Sequence, residues 1–167
     1  MSNSSSIVTS LLICVAAAGL EGICAGKNVK AFFNALHRPK YSAPLWVWSI
    51  IGAVYYAIFG FVLYRLLRLD GAGGLRSVAI AVVIAMMILN ALSNYVIFRA
   101  GDLRRSFLIG AVFPIFDLAL LALLVRLDSL AALSLVPYLI YRVYGVYWGY
   151  AVWKANPGRI EQLAKQD

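Results

Sequence analysis

The chain has 167 residues, of which 63% are hydrophobic and only 13% are charged, and its mean hydropathy is +0.83. A water-soluble domain of this size would have too few polar side chains to cover its surface, so the composition excludes a soluble globular protein. The net charge of +8 taken alone would fit a nucleic-acid binder. The positions of the basic residues indicate a different role.

Five apolar runs follow one another along the chain. They cover Ser5 to Ile23, Pro44 to Tyr64, Ser77 to Phe98, Ser106 to Val125 and Leu130 to Trp153. Each run has about the 20 residues that a helix needs to cross the hydrocarbon core of a bilayer. Membrane-spanning strands would instead alternate apolar and polar residues over about 10 positions. The sequence therefore predicts an all-α bundle of five transmembrane helices, forming a single domain over residues 1–167.

Most of the basic residues belong to one end of this predicted bundle. Ten lie there: Lys27, Lys30, Arg38, Lys40, Arg99, Arg104, Arg105, Lys154, Arg159 and Lys165. The other end has four: Arg65, Arg68, Arg76 and Arg126. This asymmetry predicts a cytoplasmic carboxyl terminus and an outside amino terminus, in a bacterial cell membrane. Membrane lipid, and not nucleic acid, is the expected partner of the positive charge.

The first run is expected to stay in the protein as a transmembrane helix. Residues 1–6 contain no lysine or arginine. A cleavable signal peptide would begin with a basic segment.

The loop from Gly26 to Ala43 is the longest in the chain. It holds aromatic residues, the single histidine and a proline, namely Phe32, Phe33, Tyr41, His37 and Pro39. One interpretation is a lid over a binding site, since loops of this length are often functional. The other is an amphipathic segment whose Phe32, Phe33 and Leu36 face the lipid headgroups. The two interpretations are compatible, and His37 is expected to be an interfacial polar residue, not a haem ligand.

Three motifs carry a resemblance to a known family. The segment from Leu36 to Val47 (LHRPKYSAPLWV) resembles the signature Lys-Pro-x-Trp-x-Pro-Pro-x-Trp-Val, and Leu89-Asn90 resembles a Leu-Asn pair. Val136-Pro137-Tyr138-Leu139, followed by Trp153 and Asn156, resembles a Val-Pro-Tyr-Leu segment with trailing Trp and Asn. On these motifs the chain resembles the translocator protein family, also called the tryptophan-rich sensory protein or peripheral benzodiazepine receptor family.

The resemblance implies a five-helix bundle, often a homodimer, with a pocket closed by the first loop. It implies a receptor or sensor that binds a planar hydrophobic ligand such as protoporphyrin or haem. The alternatives are a transporter of tetrapyrroles or sterol-like lipids, or a light-dependent porphyrin-degrading protein. The chain departs from the family at several tryptophan positions, which hold Tyr41, Gly52, Ser93, Phe113 and Tyr141, and at a late asparagine, which is Gly149. The replaced tryptophans weaken the case for photochemistry.

Aromatic residues crowd the last run. Positions 138, 141, 145 and 148 fall on one face at helical spacing, and the small Gly145 beside aromatic rings predicts a slot for a flat ligand. Trp148, Tyr150 and Trp153 lie near the end of the run, where aromatic residues usually anchor at the membrane interface. We therefore assign Tyr138 and Tyr141 to the pocket and Trp148, Tyr150 and Trp153 to an interfacial belt.

Ionisable residues within the runs are a separate signal, because each is costly in the bilayer unless it is paired or faces water. Asp117 and Arg142 lie at similar depth, which predicts an ion pair; the alternative is that Arg142 meets a carboxylate of the ligand. Glu21 is expected to be structural and to reach Lys27 or Lys30.

These arguments together give the predicted ligand-binding residues. They are Tyr41, Trp46, Asn90, Phe113, Asp117, Tyr138, Tyr141, Arg142 and Gly145. The sequence has no glycine-rich phosphate loop, no metal-spaced His/Cys cluster and no nucleophile and base at a recognisable spacing. No catalytic residue, no metal site and no required cofactor are therefore expected, and porphyrin or haem enters only as a possible ligand.

Overall fold

The computed structural model describes residues 2–71 and 73–157, and every regular element within them is a helix. Five helices are long and apolar enough to cross a membrane: α1 (Asn3–Ala25), α3 (Leu45–Arg68), α4 (Gly73–Phe98), α5 (Leu103–Leu127) and α6 (Ser129–Ala155). A short helix, α2 (Val29–Ala35), lies in the loop between α1 and α3. The predicted all-α bundle of five transmembrane helices is thus confirmed.

The long helices extend past most of the predicted bounds by about one turn or less. The carboxyl end of α3, for example, continues through Arg65 to Arg68. The predicted bounds depend on apolar side chains, which are needed only within the hydrocarbon core. The backbone hydrogen bonds of a helix can continue through charged residues beyond the core, so the helices are longer than the apolar runs. Pro114 and Pro137 lie within α5 and α6, and neither ends its helix.

The five long helices close a ring in the order α1, α3, α6, α5, α4. Helix α1 packs against α3 and α4, α5 packs against α4 and α6, and α6 packs against α3. The outward faces carry exposed large apolar side chains, including Leu12, Val15, Ile115 and Val143. Such surfaces suit a lipid solvent, and they leave the bundle interior as the place for polar groups.

One half of the bundle is tightly packed. Its core consists of fully buried side chains from α3, α4, α5 and α6, among them Phe59, Leu63, Met86, Leu120 and Leu135. At this end the side chain of Asp128 accepts hydrogen bonds from the backbone N–H groups of Leu130 and Ala131 at the start of α6. Arg65 of α3 donates through Nε to the same carboxylate at 2.7 Å.

The other half is covered by residues 26–43, which we call the lid segment. Phe33 and Leu36 are only 3% and 5% exposed. They pack with Trp148 and Val152 of α6. The interpretation that they face the lipid headgroups is therefore wrong: α2 lies across the end of the bundle, and these side chains are buried against it. Arg159 and Lys165, which contribute to the predicted charge asymmetry, lie outside the described residues.

Candidate ligand-binding cavity

A cavity of about 510 Å³ occupies the half of the bundle beneath the lid segment, and all six helices contribute to its lining. This volume is within the range of small-molecule sites. Small residues on four helices make the space: Gly52, Ser93, Gly110, Gly145 and Gly149 all line it. A Cβ atom at Gly52 or Gly110 would meet nothing within 4 Å. The cavity is thus open where the family signature has bulky residues at Gly52 and Ser93.

Flat aromatic rings form one wall of the cavity. The ring centroid of Trp48 lies 4.7 Å from that of Trp148 and 6.2 Å from that of Tyr141. Phe33 of the lid segment stacks on Trp148 with centroids 6.4 Å apart. Trp48, Tyr141, Trp148 and Phe33 all line the cavity, so they offer it the π-faces that favour contact with another flat ring.

Trp148 was assigned to the interfacial belt, and that assignment is wrong. Its side chain is buried, and its indole Nε1 donates a hydrogen bond to Ser42 Oγ at 2.8 Å. The lid segment supplies the polar partner that an interfacial tryptophan would otherwise find in the headgroup region. Trp153, one turn further along α6, instead stacks on Phe107 of α5 at 5.4 Å between centroids.

Glu21 faces the cavity from α1. Its Oε2 accepts hydrogen bonds from Tyr56 Oη at 2.6 Å and from Asn90 Nδ2 at 3.0 Å, and its Oε1 accepts one from Asn94 Nδ2 at 3.0 Å. The expectation that Glu21 reaches a lysine of the loop is wrong, because α1 packs against α3 and α4 and their polar side chains occupy the carboxylate. One sequence signal could have indicated this site: Asn90 and Asn94 are four residues apart and share a helix face.

Arg142 and Asp117 form the ion pair that their similar depth predicted. Arg142 Nε lies 3.4 Å from Asp117 Oδ2, and the two side chains are 15% and 3% exposed. The guanidinium also stands over the Phe113 ring at 4.2 Å and donates a hydrogen bond to the hydroxyl of Tyr138. The charge of Arg142 is therefore largely matched by protein groups.

The structure divides the predicted ligand-binding residues into two sets. Those that line the cavity are Asn90, Tyr138, Tyr141, Arg142 and Gly145. Phe113 and Asp117 are buried outside the lining. Tyr41 and Trp46 are 75% and 66% exposed and also lie outside it.

Trp48, which the sequence did not indicate, lines the cavity in place of Trp46. Helix α3 begins at Leu45. Trp48 follows Trp46 by two residues, and over two residues an α-helix turns by more than half a revolution. Only one of the two tryptophans can therefore face inward.

Hydrogen bonds fasten the lid segment to α6. The backbone N–H of His37 donates to Asn156 Oδ1, and Asn156 Nδ2 donates to the His37 carbonyl, both at 2.9 Å. The Tyr144 hydroxyl accepts from the Ala43 N–H at 3.1 Å and donates to the Tyr41 carbonyl at 2.9 Å. Together these contacts hold the lid segment against the mouth of the cavity.

The fold and the cavity define an integral multi-pass membrane protein with a partly open site between its helices. Residues 10–154 match the family model described as the TspO/MBR family. The chain belongs to this family, and the resemblance seen in its motifs is confirmed. No curated protein matches the sequence. Membership of this family supports a role of the membrane sensor or transporter type.

Proposed function

We propose that the protein is a membrane receptor or sensor that binds a planar hydrophobic ligand, such as protoporphyrin or haem, in the cavity under the lid segment. The observation that carries the proposal is the group of aromatic rings around Trp48, which lines the same cavity as the unobstructed Gly52. A flat ring entering that space gains aromatic contact on one side and meets little steric resistance on the other.

The ligand would be held by its faces and edges. Asn90 and Arg142 supply polar groups at the cavity wall. Among the described residues, the lining contains no histidine, cysteine or methionine. Haem would therefore bind there without ligation by those residue types.

Titration of the purified protein with protoporphyrin tests the proposal, with tryptophan quenching and the Soret shift as signals. Gly52→Leu should weaken binding by about tenfold or more, because a Cβ atom at this lining position meets nothing within 4 Å and the longer side chain would take up cavity space. Gly19→Leu is the matched control, since Gly19 is equally unobstructed and lies outside the lining. Wild-type binding no stronger than to an unrelated membrane protein of similar aromatic content would refute the proposal, as would undiminished binding by Gly52→Leu.

The same complex distinguishes the alternatives. Movement of the ligand across proteoliposomes would support a transporter of tetrapyrroles or sterol-like lipids. Protein-dependent product formation under light would support a porphyrin-degrading protein. An unchanged ligand that does not cross the membrane would support a receptor.

The homodimer that the resemblance implies stays a prediction, which the mass of the protein in detergent would check.

A further inference from the structure

Glu21 carries a charge that the ligand-free cavity does not balance. An ionised carboxylate has about four acceptor positions. The Glu21 carboxylate accepts from the Tyr56 hydroxyl and from two asparagine amides, at Asn90 and Asn94. All three partners donate and all three are neutral, so none of them cancels the formal charge of the carboxylate. One acceptor position on Oε1 is left.

Among the residues that the structure describes, no cation completes this site. Among the residues that line the cavity, Glu21 and Arg142 are the formally charged ones. Arg142 is already paired with the buried Asp117. Within residues 2–71 and 73–157, Glu21 has no ion-pair partner. The cavity and its supporting ion pair therefore have a formal net negative charge.

We propose that the cavity binds lipophilic organic cations, with a protonated nitrogen of the ligand donating to Glu21 and its aromatic ring lying against Trp48 and Tyr141. The ligand would neutralise the carboxylate and would use the acceptor position left on Oε1. A charge-assisted hydrogen bond is stronger than a neutral one. The aromatic wall adds a cation–π attraction for the charged ring. This ligand class goes beyond the porphyrins of the proposed function and does not depend on them.

Three planar tricyclic probes of similar size and different charge test this proposal at neutral pH. They are 9-aminoacridine, a cation; 9-anthracenemethanol, which is neutral; and 9-anthracenecarboxylate, an anion. Each is titrated by calorimetry into the full chain in nanodiscs of zwitterionic lipid, and the heat from empty nanodiscs is subtracted. The cation should bind about tenfold or more tighter than the neutral probe, and the anion should bind most weakly.

Glu21→Gln keeps the shape of the side chain and removes its charge. It should lower the affinity for the cation by about tenfold or more and leave that for the neutral probe nearly unchanged. Asp102→Asn is the matched control, because Asp102 is a carboxylate outside the cavity lining and asparagine also caps helices well. It should leave all three affinities unchanged.

Two results would overturn the proposal: equal affinities for the cation and the neutral probe, or a Glu21→Gln protein that still prefers the cation. If Glu21→Gln fails to fold, the wild-type chain gives the answer by carbodiimide modification of Glu21, followed by mass spectrometry. Protection by 9-aminoacridine but not by 9-anthracenemethanol supports the proposal, and equal rates with both overturn it. A parallel protoporphyrin titration keeps the two proposals separate, since either ligand class can fail without the other.

Discussion

Two aspartates of the bundle pair with arginines in different surroundings. Asp117 is 3% exposed and has Arg142 as its only ion-pair partner within the described ranges. Asp128 is 4% exposed, but its partner Arg65 is 32% exposed and reaches solvent or headgroups at the end of α3. In the first pair each charge should stabilise the fold only while its partner is present. In the second pair the contribution to stability should change with pH.

For the first pair, Arg142→Leu and Asp117→Leu should each lower the free energy of unfolding by about 3–5 kcal/mol, because each leaves one buried charge uncompensated. The double substitution should recover much of the loss. Thermal unfolding in detergent measures all three. Single substitutions without effect would show that the contact contributes nothing to stability.

A different result would assign Arg142 to the ligand. Arg142→Leu would then keep its stability but lose protoporphyrin binding, while a porphyrin without carboxylates would bind both forms alike. The contact with Asp117 favours the structural role.

The pKa of Asp128 leads to a prediction of how stability depends on pH. Burial of this carboxyl acts to raise its pKa, but the hydrogen bonds from Arg65 and from the Ala131 and Leu130 N–H groups outweigh burial and hold the pKa below its usual value. A carboxyl with a lowered pKa stabilises the fold above its unfolded-state pKa of about 3.9, and this stabilisation is lost as the pH falls through the lower folded-state pKa.

Asp128→Ala should therefore lower the melting temperature at neutral pH, with a loss of about 0.5–2 kcal/mol for the helix cap. The difference from wild type should shrink below about pH 3.9, as the wild-type carboxyl takes up its proton. Asp102→Ala, which also removes a helix cap and whose partner Arg105 is highly exposed, is the matched control for loss of a cap. A stability difference between Asp128→Ala and the wild type that stays constant down to acid pH would contradict a lowered pKa for Asp128.

At the scale of elements, the lid segment should open without unfolding the bundle. Asn156→Ala removes both hydrogen bonds to the His37 backbone. We expect faster hydrogen exchange confined to residues 26–43, with a nearly unchanged melting temperature, because regions with few buried contacts open locally. Asn34→Ala, at an exposed asparagine in α2, is the matched control. Unchanged exchange in Asn156→Ala would show that Tyr144 and Trp148 hold the lid segment on their own.

The helices could be predicted from the sequence because a bilayer requires about 20 consecutive apolar residues. Which face of each helix points into the bundle could not be predicted in the same way. Apolar side chains cover all sides of α1, with Leu12 and Val15 exposed to the outside, so no polar face marks the interior. Glu21 and Trp148 were consequently misassigned. Their partners, Asn94 and Ser42, are distant in the chain and become neighbours only when the helices pack.

At the scale of the whole molecule, the charge asymmetry predicts orientation. With Cys14 and Cys24 replaced by alanine, single cysteines at Ser4 and at Asn34 report on opposite ends of the bundle; both positions are exposed. A membrane-impermeant maleimide should label Ser4→Cys on intact cells and Asn34→Cys only after lysis, since the end with ten basic residues should face the cytoplasm. The reverse labelling pattern would contradict the predicted topology.

The position of the cavity among five transmembrane helices affects how affinity must be expressed. An apolar ligand partitions into lipid before it meets the protein, so the relevant concentration is its mole fraction in the bilayer. Doubling the lipid at fixed protein should then raise the apparent dissociation constant expressed in total added ligand, while the constant referred to mole fraction stays the same. The protein would respond to how much ligand the membrane has accumulated, and two cells given the same total amount of ligand but different membrane area would give different responses.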